Sequence, residues 1–132
     1  MKFVGSKCEA TRKMDIAEIA KLVRKEVKAA HPDVKCSIRI DRFSGGQSLD
    51  IKVKAAPYQL FNFENDGHSR HSLYTEKGKA LLNSLQSILN SYNYDDSDSM
   101  TDYFHVRFYG HATIDWELEK RERDALTVAV EA

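Results

Sequence analysis

The stretch 36–53 most constrains the fold, because two strands and the turn between them can be predicted from it directly. Apolar residues alternate with polar ones on both arms: Cys36, Ile38 and Ile40 on the first, and Leu49, Ile51 and Val53 on the second. A period of two is the spacing of side chains along one face of a strand. Ser44, Gly45 and Gly46 tolerate the positive φ angles that a tight turn needs. The stretch therefore predicts a β-hairpin with one apolar face and one charged face.

The apolar face of this hairpin needs a cover, since a lone hairpin is marginally stable in water. Two amphipathic helices can supply it. In the first, at about 15–31, apolar residues recur every three or four positions after the N-cap Asp15. In the second, at about 75–92, a leucine-rich stripe follows the N-cap Thr75. Both stripes are expected to pack on the inner side of the hairpin.

A further strand region is predicted near the C-terminal end. Phe104, Val106 and Phe108 alternate with polar residues, which is typical of a strand. Gly110 is expected to break that strand, and the alternation resumes at 112–116. The charge-dense tail that follows could be helical.

Together these elements predict an α+β fold of two layers. An antiparallel sheet, made of the hairpin 36–54 and the strand or strands 103–116, is covered by the helices 15–31 and 75–92. With 132 residues, of which 42% are apolar, the chain is expected to form a single domain. Its core spans about 14–116, and 1–13 and 117–132 are peripheral.

No apolar run approaches the ~20 residues that a membrane span requires. The N-terminus also lacks the apolar core of a signal peptide. We therefore expect a protein that makes no membrane contact and lies in the cytoplasm of the cell that makes it or receives it.

Charge is distributed unevenly although the net charge is zero. Residues 1–54 carry 13 Lys/Arg and 7 Asp/Glu, a net charge of +6, and residues 55–132 carry the reverse, −6. A basic field over the whole surface is excluded, which argues against general nucleic-acid binding. The basic side of the first helix and the hairpin residues Arg39, Arg42, Lys52 and Lys54 could still offer cations to phosphates.

The segment 92–103 has two interpretations. It holds the carboxylates Asp95, Asp96, Asp98 and Asp102 beside hydroxyls and aromatic rings, a composition that suits a cation. The spacing does not match an EF-hand loop. If Asn93 is counted as the first position, the twelfth is Phe104, where an EF-hand has a glutamate. Alternatively, Asp98 or Asp102 closes a helix-to-strand connection by accepting backbone hydrogen bonds.

No pattern of an active site or cofactor site is present. His68 and His71 lack the companion ligands of a zinc motif, and the two glycines of the hairpin turn lack the lysine of a phosphate-binding loop. No nucleophile stands beside a base. We therefore predict no catalytic residues, no metal and no cofactor, and a protein that is not an enzyme.

Two groups of segments resemble a known family. The segments 16–28, 31–41 and 43–51 are closely similar to a domain among the large polyvalent protein-associated domains, and 91–104 and 108–111 are similar to its second signature. The likeness covers about residues 14–111. The resemblance implies an occurrence in proteins of phages, plasmids and conjugative elements, often in long fused chains thought to protect the incoming element against host defences. It implies no catalytic set.

Together with the lack of a catalytic pattern, the resemblance implies a non-enzymatic binding protein of a phage or other mobile element, in the cytoplasm of the host cell, that counteracts a host defence system by binding a defence protein or its small-molecule ligand. The alternative is a nucleic-acid-binding accessory domain that uses the first helix and the hairpin face. The sequence leaves the oligomeric state open. The predicted binding surface comprises the outer hairpin face, the turn and the acidic loop: Arg39, Arg42, Ser44, Gly45, Gly46, Gln47, Tyr92, Asn93, Asp95, Asp98, Asp102 and Tyr103.

Overall fold

A computed structural model describes residues 3–62, 74–95 and 106–131, with side chains over 4–62, 74–94 and 106–124. The elements in chain order are β1 (Phe3–Val4), α1 (Ile16–Ala30), β2 (Lys35–Phe43), β3 (Gly46–Ala55), α2 (Glu76–Ser91), β4 (Tyr94–Asp95), β5 (Tyr109–Ile114) and α3 (Trp116–Glu131). Strands β1 and β4 form a small antiparallel pair, and β2, β3 and β5 form the main sheet in that order.

The predicted hairpin is confirmed and extends one residue further at each end. Strands β2 and β3 pair antiparallel, with Ile38 opposite Ile51 and Phe43 opposite Gly46. Gly46 has a φ of 148°, a conformation that residues with a Cβ rarely adopt. The turn therefore depends on a glycine at the first position of β3.

Both predicted helices are also confirmed, together with their caps. The Asp15 carboxylate accepts a hydrogen bond from the Ala17 N–H at 3.1 Å, and the Thr75 hydroxyl accepts one from the Gly78 N–H at 3.0 Å. These bonds satisfy amides that the first turn of a helix leaves unpaired. The apolar stripes of the helices form one core with the inner side of the sheet, in which Ile19, Val23, Leu49, Ile51, Val53, Leu81, Leu85 and Leu89 are fully or almost fully buried.

The prediction of an antiparallel sheet is wrong for one strand, β5. Strand β5 runs parallel to β3, with Leu49 beside Gly110 and Val53 beside Ile114, so the three-stranded sheet is mixed. Parallel neighbours need a long crossover, and the segment containing α2 provides it. The α+β fold with helices on the sheet is confirmed.

Gly110 lies within β5 and does not end a strand as the sequence predicted. A Cβ at this position would lie 2.9 Å from the ring of Phe108, which is buried in the core. The glycine thus lets Phe108 turn inward at the start of the strand. The strand ends at Ile114, and Trp116 begins α3, so the prediction of a strand through 116 is wrong there. Residues 103–105 lie outside the described residues.

The two ends of the chain are attached to this core. Arg107, expected on the polar side of a strand, is half-buried, and its guanidinium donates to the Thr11 hydroxyl at 2.9 Å and to the Tyr92 carbonyl at 3.0 Å. At the other end, the Glu122 carboxylate of α3 accepts from the N–H groups of Leu60 and Phe61 at 3.0 and 3.2 Å. Within the described ranges, the helices are all too short or too polar to cross a bilayer.

Candidate functional site

The main sheet has one face that the helices cover and one that they leave open. Alternation places the polar residues of β2, β3 and β5 on the open side, opposite the buried Leu49, Ile51 and Val53. A shallow groove of about 530 Å³ lies there. We call this surface the outer face, and the groove is lined by Ser37, Arg39, Asp41, Asp50, Lys52, Lys54, His111 and Thr113.

The strand register arranges the outer face in rows across the sheet. Arg39 pairs with Asp50, and Asp50 in turn lies beside His111. Side chains directly opposite each other in an antiparallel pair have Cβ atoms about 4.5–5.5 Å apart. A cation, a carboxylate and an imidazole therefore stand side by side, which gives a partner both donors and acceptors within one short row.

An exposed aromatic pair continues the outer face toward the hairpin turn. The rings of Phe43 and Tyr109 are stacked, with centroids 6.0 Å apart and planes inclined by 29°. The two residues are 49% and 37% exposed. Gly46 lies beneath them, and a Cβ there would be 3.5 Å from the Tyr109 ring. The pair offers a stacking platform at one end of a charged groove.

The charges of the outer face are mixed. Arg39 lies 3.8 Å from the Asp41 carboxylate, and Lys54 lies 3.3 Å from Asp115. Exposed ion pairs contribute only about 0–1 kcal/mol, so a partner can replace the Arg39 contact at little cost. The surface can therefore recognise a mixed pattern of charge on a partner.

Arg39 and Arg42 do not share this surface. Arg39 lines the outer groove, whereas the Arg42 guanidinium donates to Asp15, the N-cap of α1, at 3.3 Å. Arg42 has the same strand parity as the inward-facing Ile40, which directs it to the helix side. The prediction that both arginines lie on the outer hairpin face is wrong for Arg42.

The turn residues Ser44, Gly45 and Gly46 are exposed near the aromatic pair. The side-chain N–H of Gln47 donates to the Arg107 carbonyl at 3.1 Å, so this amide stabilises the fold.

The described part of the acidic loop also serves the fold. Tyr92 is only 3% exposed, and this burial raises the pKa of its hydroxyl. The Asn93 amide donates to the Phe108 carbonyl at 2.8 Å and accepts from the Tyr94 N–H at 2.9 Å. The backbone of Asp95 pairs with Phe3 in the small sheet. The predicted residues Asp98, Asp102 and Tyr103 lie outside the described residues.

Sequence reasoning missed the contribution of β5 to the outer face. Tyr109, His111 and Thr113 point outward there, because Gly110, Ala112 and Ile114 point inward. The sequence does contain a signal for this strand, because polar and apolar or small residues alternate through 109–114. Gly110 obscures it, since a glycine inside a strand looks like its end. For Lys52 and Lys54, the sequence predicts contacts with phosphates and gives no sign of a shared groove with His111.

No group of three or more potential metal ligands occurs in the described ranges 3–62, 74–95 and 106–131. His31 Nε2 and Ser84 Oγ are 2.8 Å apart, where the C-terminal end of α1 meets α2. This hydrogen bond connects the two helices that cover the sheet.

Comparison with known families adds to this geometry. The family model for large polyvalent protein associated domain 29 matches residues 14–114, which include α1, the whole main sheet and α2. Searches of curated proteins and of solved structures give no match. The chain therefore belongs to the family of large polyvalent protein associated domain 29.

Proposed function

We propose that this domain is a non-enzymatic binding module of a phage or other mobile element, and that it inhibits a host defence protein by contact through the outer face. The observation that carries the proposal is the exposed Phe43–Tyr109 pair beside a row of charged residues, on a sheet face that the described helices leave open. An uncovered face alone is common in sheets with antiparallel strands. The aromatic pair is the distinguishing feature.

Residue chemistry favours a protein partner. Aromatic and arginine side chains dominate the energetics of protein interfaces, and the outer face combines Phe43, Tyr109 and Arg39. Opposite charges on the same face, such as Arg39 and Asp50, select a partner by electrostatic complementarity. Membership in the polyvalent-protein family suggests an association with phages and mobile elements, where a host defence protein would be met.

The same aromatic pair supports a second candidate function, the binding of single-stranded nucleic acid. Bases stack on aromatic rings of open sheets, and nearby cations hold the phosphates. Here Arg39 and Lys52 could supply those cations. The carboxylates of Asp41 and Asp50 in the same groove oppose this interpretation.

The test uses capture from host lysate by the full chain and by two double variants. Arg39→Glu with Lys52→Glu reverses two charges on the outer face, and Lys21→Glu with Lys25→Glu makes the same charge change on the exposed side of α1. A protein captured by the wild type and by the α1 variant, lost by the outer-face variant, and binding directly when purified supports the proposal. Equal capture by both variants rejects the outer face.

The second candidate is tested with a single-stranded oligonucleotide titrated at several salt concentrations. Binding that weakens steeply with salt and is lost with Tyr109→Ala favours nucleic acid. No binding at low salt removes this candidate.

A further inference from the structure

The two edges of the main sheet differ. At the edge of β5 that faces away from β3, the side-chain amide of Gln86 donates to the Gly110 carbonyl at 2.9 Å and accepts from the Ala112 N–H at 3.1 Å. It thus makes the two bonds that a neighbouring strand would make at this point. Helix α2 thereby occupies this edge.

Strand β2 forms the opposite edge of the sheet, with β3 on its other side. It is nine residues long, and within the described part of the chain β3 is its one strand partner. In an antiparallel pair, alternate residues direct their N–H and C=O groups away from the neighbour. Such an edge is a template for another extended chain.

A groove lies between this edge and α1. Its volume is about 420 Å³, and its apolar floor includes Val27, Val34, Cys36 and Ile38. Cys36 and Ile38 are only half-buried, although the residues paired with them, Val53 and Ile51, are fully buried. The apolar inner face of the sheet thus extends beyond the area that α1 covers.

The rim of the groove is basic. Arg24 and Lys28 of α1 and Lys35 of β2 line it, and no carboxylate is among the described residues that do so. A second copy of the chain, docked by the same edge, would bring like charges together. Charge complementarity therefore selects an acidic occupant.

We propose that the free edge of β2 and the adjoining groove bind an extended acidic segment of a partner protein, which joins the sheet as a fourth strand. Its backbone pairs with β2, and the side chains on its helix side fill the groove, with apolar residues in the middle over Cys36 and Ile38 and carboxylates at the ends beside the cations of the rim. This site lies on the edge and the helix side of the sheet. It is distinct from the outer face.

The probe is a soluble peptide of about eight residues, a length matched to the edge. On the face that meets the groove it carries Val or Ile in the middle and Asp or Glu at the ends, and the alternate positions, which face the outer side, are Ser or Thr. Fluorescence anisotropy with the full chain should give saturable binding. A peptide with Lys at every acidic position tests the charge. A peptide methylated on alternate backbone nitrogens, prepared in both registers, tests strand pairing because methylation removes the N–H donor and keeps the side chains.

Two double variants test the location. Arg24→Glu with Lys28→Glu reverses the rim of the groove, and Lys21→Glu with Lys25→Glu makes the same charge change on α1 outside it. The rim variant should weaken peptide binding about tenfold more than the control variant. Peptide should also slow the alkylation of Cys36, mapped by mass spectrometry. Unchanged melting temperatures show that both variants fold.

Several outcomes would overturn the proposal. The first is that the acidic peptide shows no saturable binding, and the second is that the lysine peptide binds as tightly as the acidic one. The third is that the two methylated peptides bind equally, and the fourth is that the rim variant and the control variant weaken binding equally. A dimer that protects Cys36 without peptide would assign the edge to a second copy. The outer-face variant Arg39→Glu with Lys52→Glu should retain the peptide, which separates this site from the proposed function.

Discussion

The guanidinium of Arg107 donates a hydrogen bond to the hydroxyl of Thr11 at 2.9 Å, across 96 positions of the sequence. The same group also donates to the backbone carbonyls of Cys8 and Tyr92 at 3.3 and 3.0 Å. One planar side chain thus joins the N-terminal arm to the end of α2. A guanidinium is suited to this because it has five donors in a fixed geometry.

We expect Arg107→Ala to lower the free energy of unfolding by about 2–3 kcal/mol, since several acceptors lose a charged donor together. Arg107→Lys should recover little of this loss, because an ammonium cannot reproduce the fork of a guanidinium. Urea unfolding measures both. Arg12→Ala is the control: among the described residues, the Arg12 guanidinium pairs with the exposed Glu9, and its loss should change stability by less than about 0.5 kcal/mol.

Gly78→Ala should destabilise the protein, although alanine is the better helix former by about 1 kcal/mol. A Cβ at this position would lie 2.5 Å from the carbonyl oxygen of Leu60, so α2 would have to move away from the 60–61 segment. We expect a loss of about 1–3 kcal/mol in thermal or urea unfolding. Gly45→Ala, where the nearest atom is 3.8 Å away, should be nearly neutral. A Gly78→Ala protein as stable as the wild type would contradict this close approach.

Glu122→Ala should cost about 1–3 kcal/mol, because the N–H groups of the buried Leu60 and Phe61 lose their acceptor. Glu122→Gln retains a side-chain oxygen in the same place and should lose less. Urea unfolding of the two variants separates the hydrogen bonds from the packing of α3. If both variants lose the same free energy of unfolding, the hydrogen bonds to Leu60 and Phe61 do not account for the contribution of Glu122.

Burial raises the pKa of the Cys36 thiol from 9.0 to about 11. The folded chain therefore holds this proton at pH values where the unfolded chain has lost it. The contribution of the protonated thiol to the free energy of unfolding is thus fully present below pH 9 and is lost as the pH rises through about 11. Burial also raises the pKa of Tyr58 and Tyr92, which adds to this fall at alkaline pH.

Two measurements check this pH dependence. The alkylation rate of Cys36, followed by mass spectrometry, should keep rising above pH 9 in the folded chain and level off earlier in urea. In urea unfolding, Cys36→Ser should show a shallower loss of stability between pH 9 and 11 than the wild type. Identical slopes would show that the thiol does not contribute.

The parts of the fold that the sequence predicted correctly are set by local patterns. The hairpin, α1 and α2 each follow from the spacing of apolar residues and from a cap or turn residue within the element. Strand β5 does not, because its parallel pairing with β3 joins segments separated by a helix. Gly110 looks like a strand breaker in isolation, and only its contact with Phe108 explains it.

The candidate site shows the same division. Alternation along β2 predicts Arg39 on the outer face. Arg42, at the end of the strand, is exposed as its charge suggests, but its parity places it on the helix side of the sheet, where it contacts Asp15. His111 and Tyr109 join the face only through the register of β5. Tyr92 and Asn93 are polar residues beside a loop, and their contacts are with distant residues: Asn93 donates to the carbonyl of Phe108, fifteen positions away, and the carbonyl of the buried Tyr92 accepts from Arg107.

The amide of Gln86 has a further consequence for assembly. By occupying the edge of β5, it leaves the edge of β2 as the side on which the described part of the sheet can gain a further strand. Filament growth by stacked strands requires two open sides per molecule, one for each successive neighbour. Copies of this domain brought close together, as in a tandem array, are therefore expected to join through the described edges of this sheet in pairs and not in filaments.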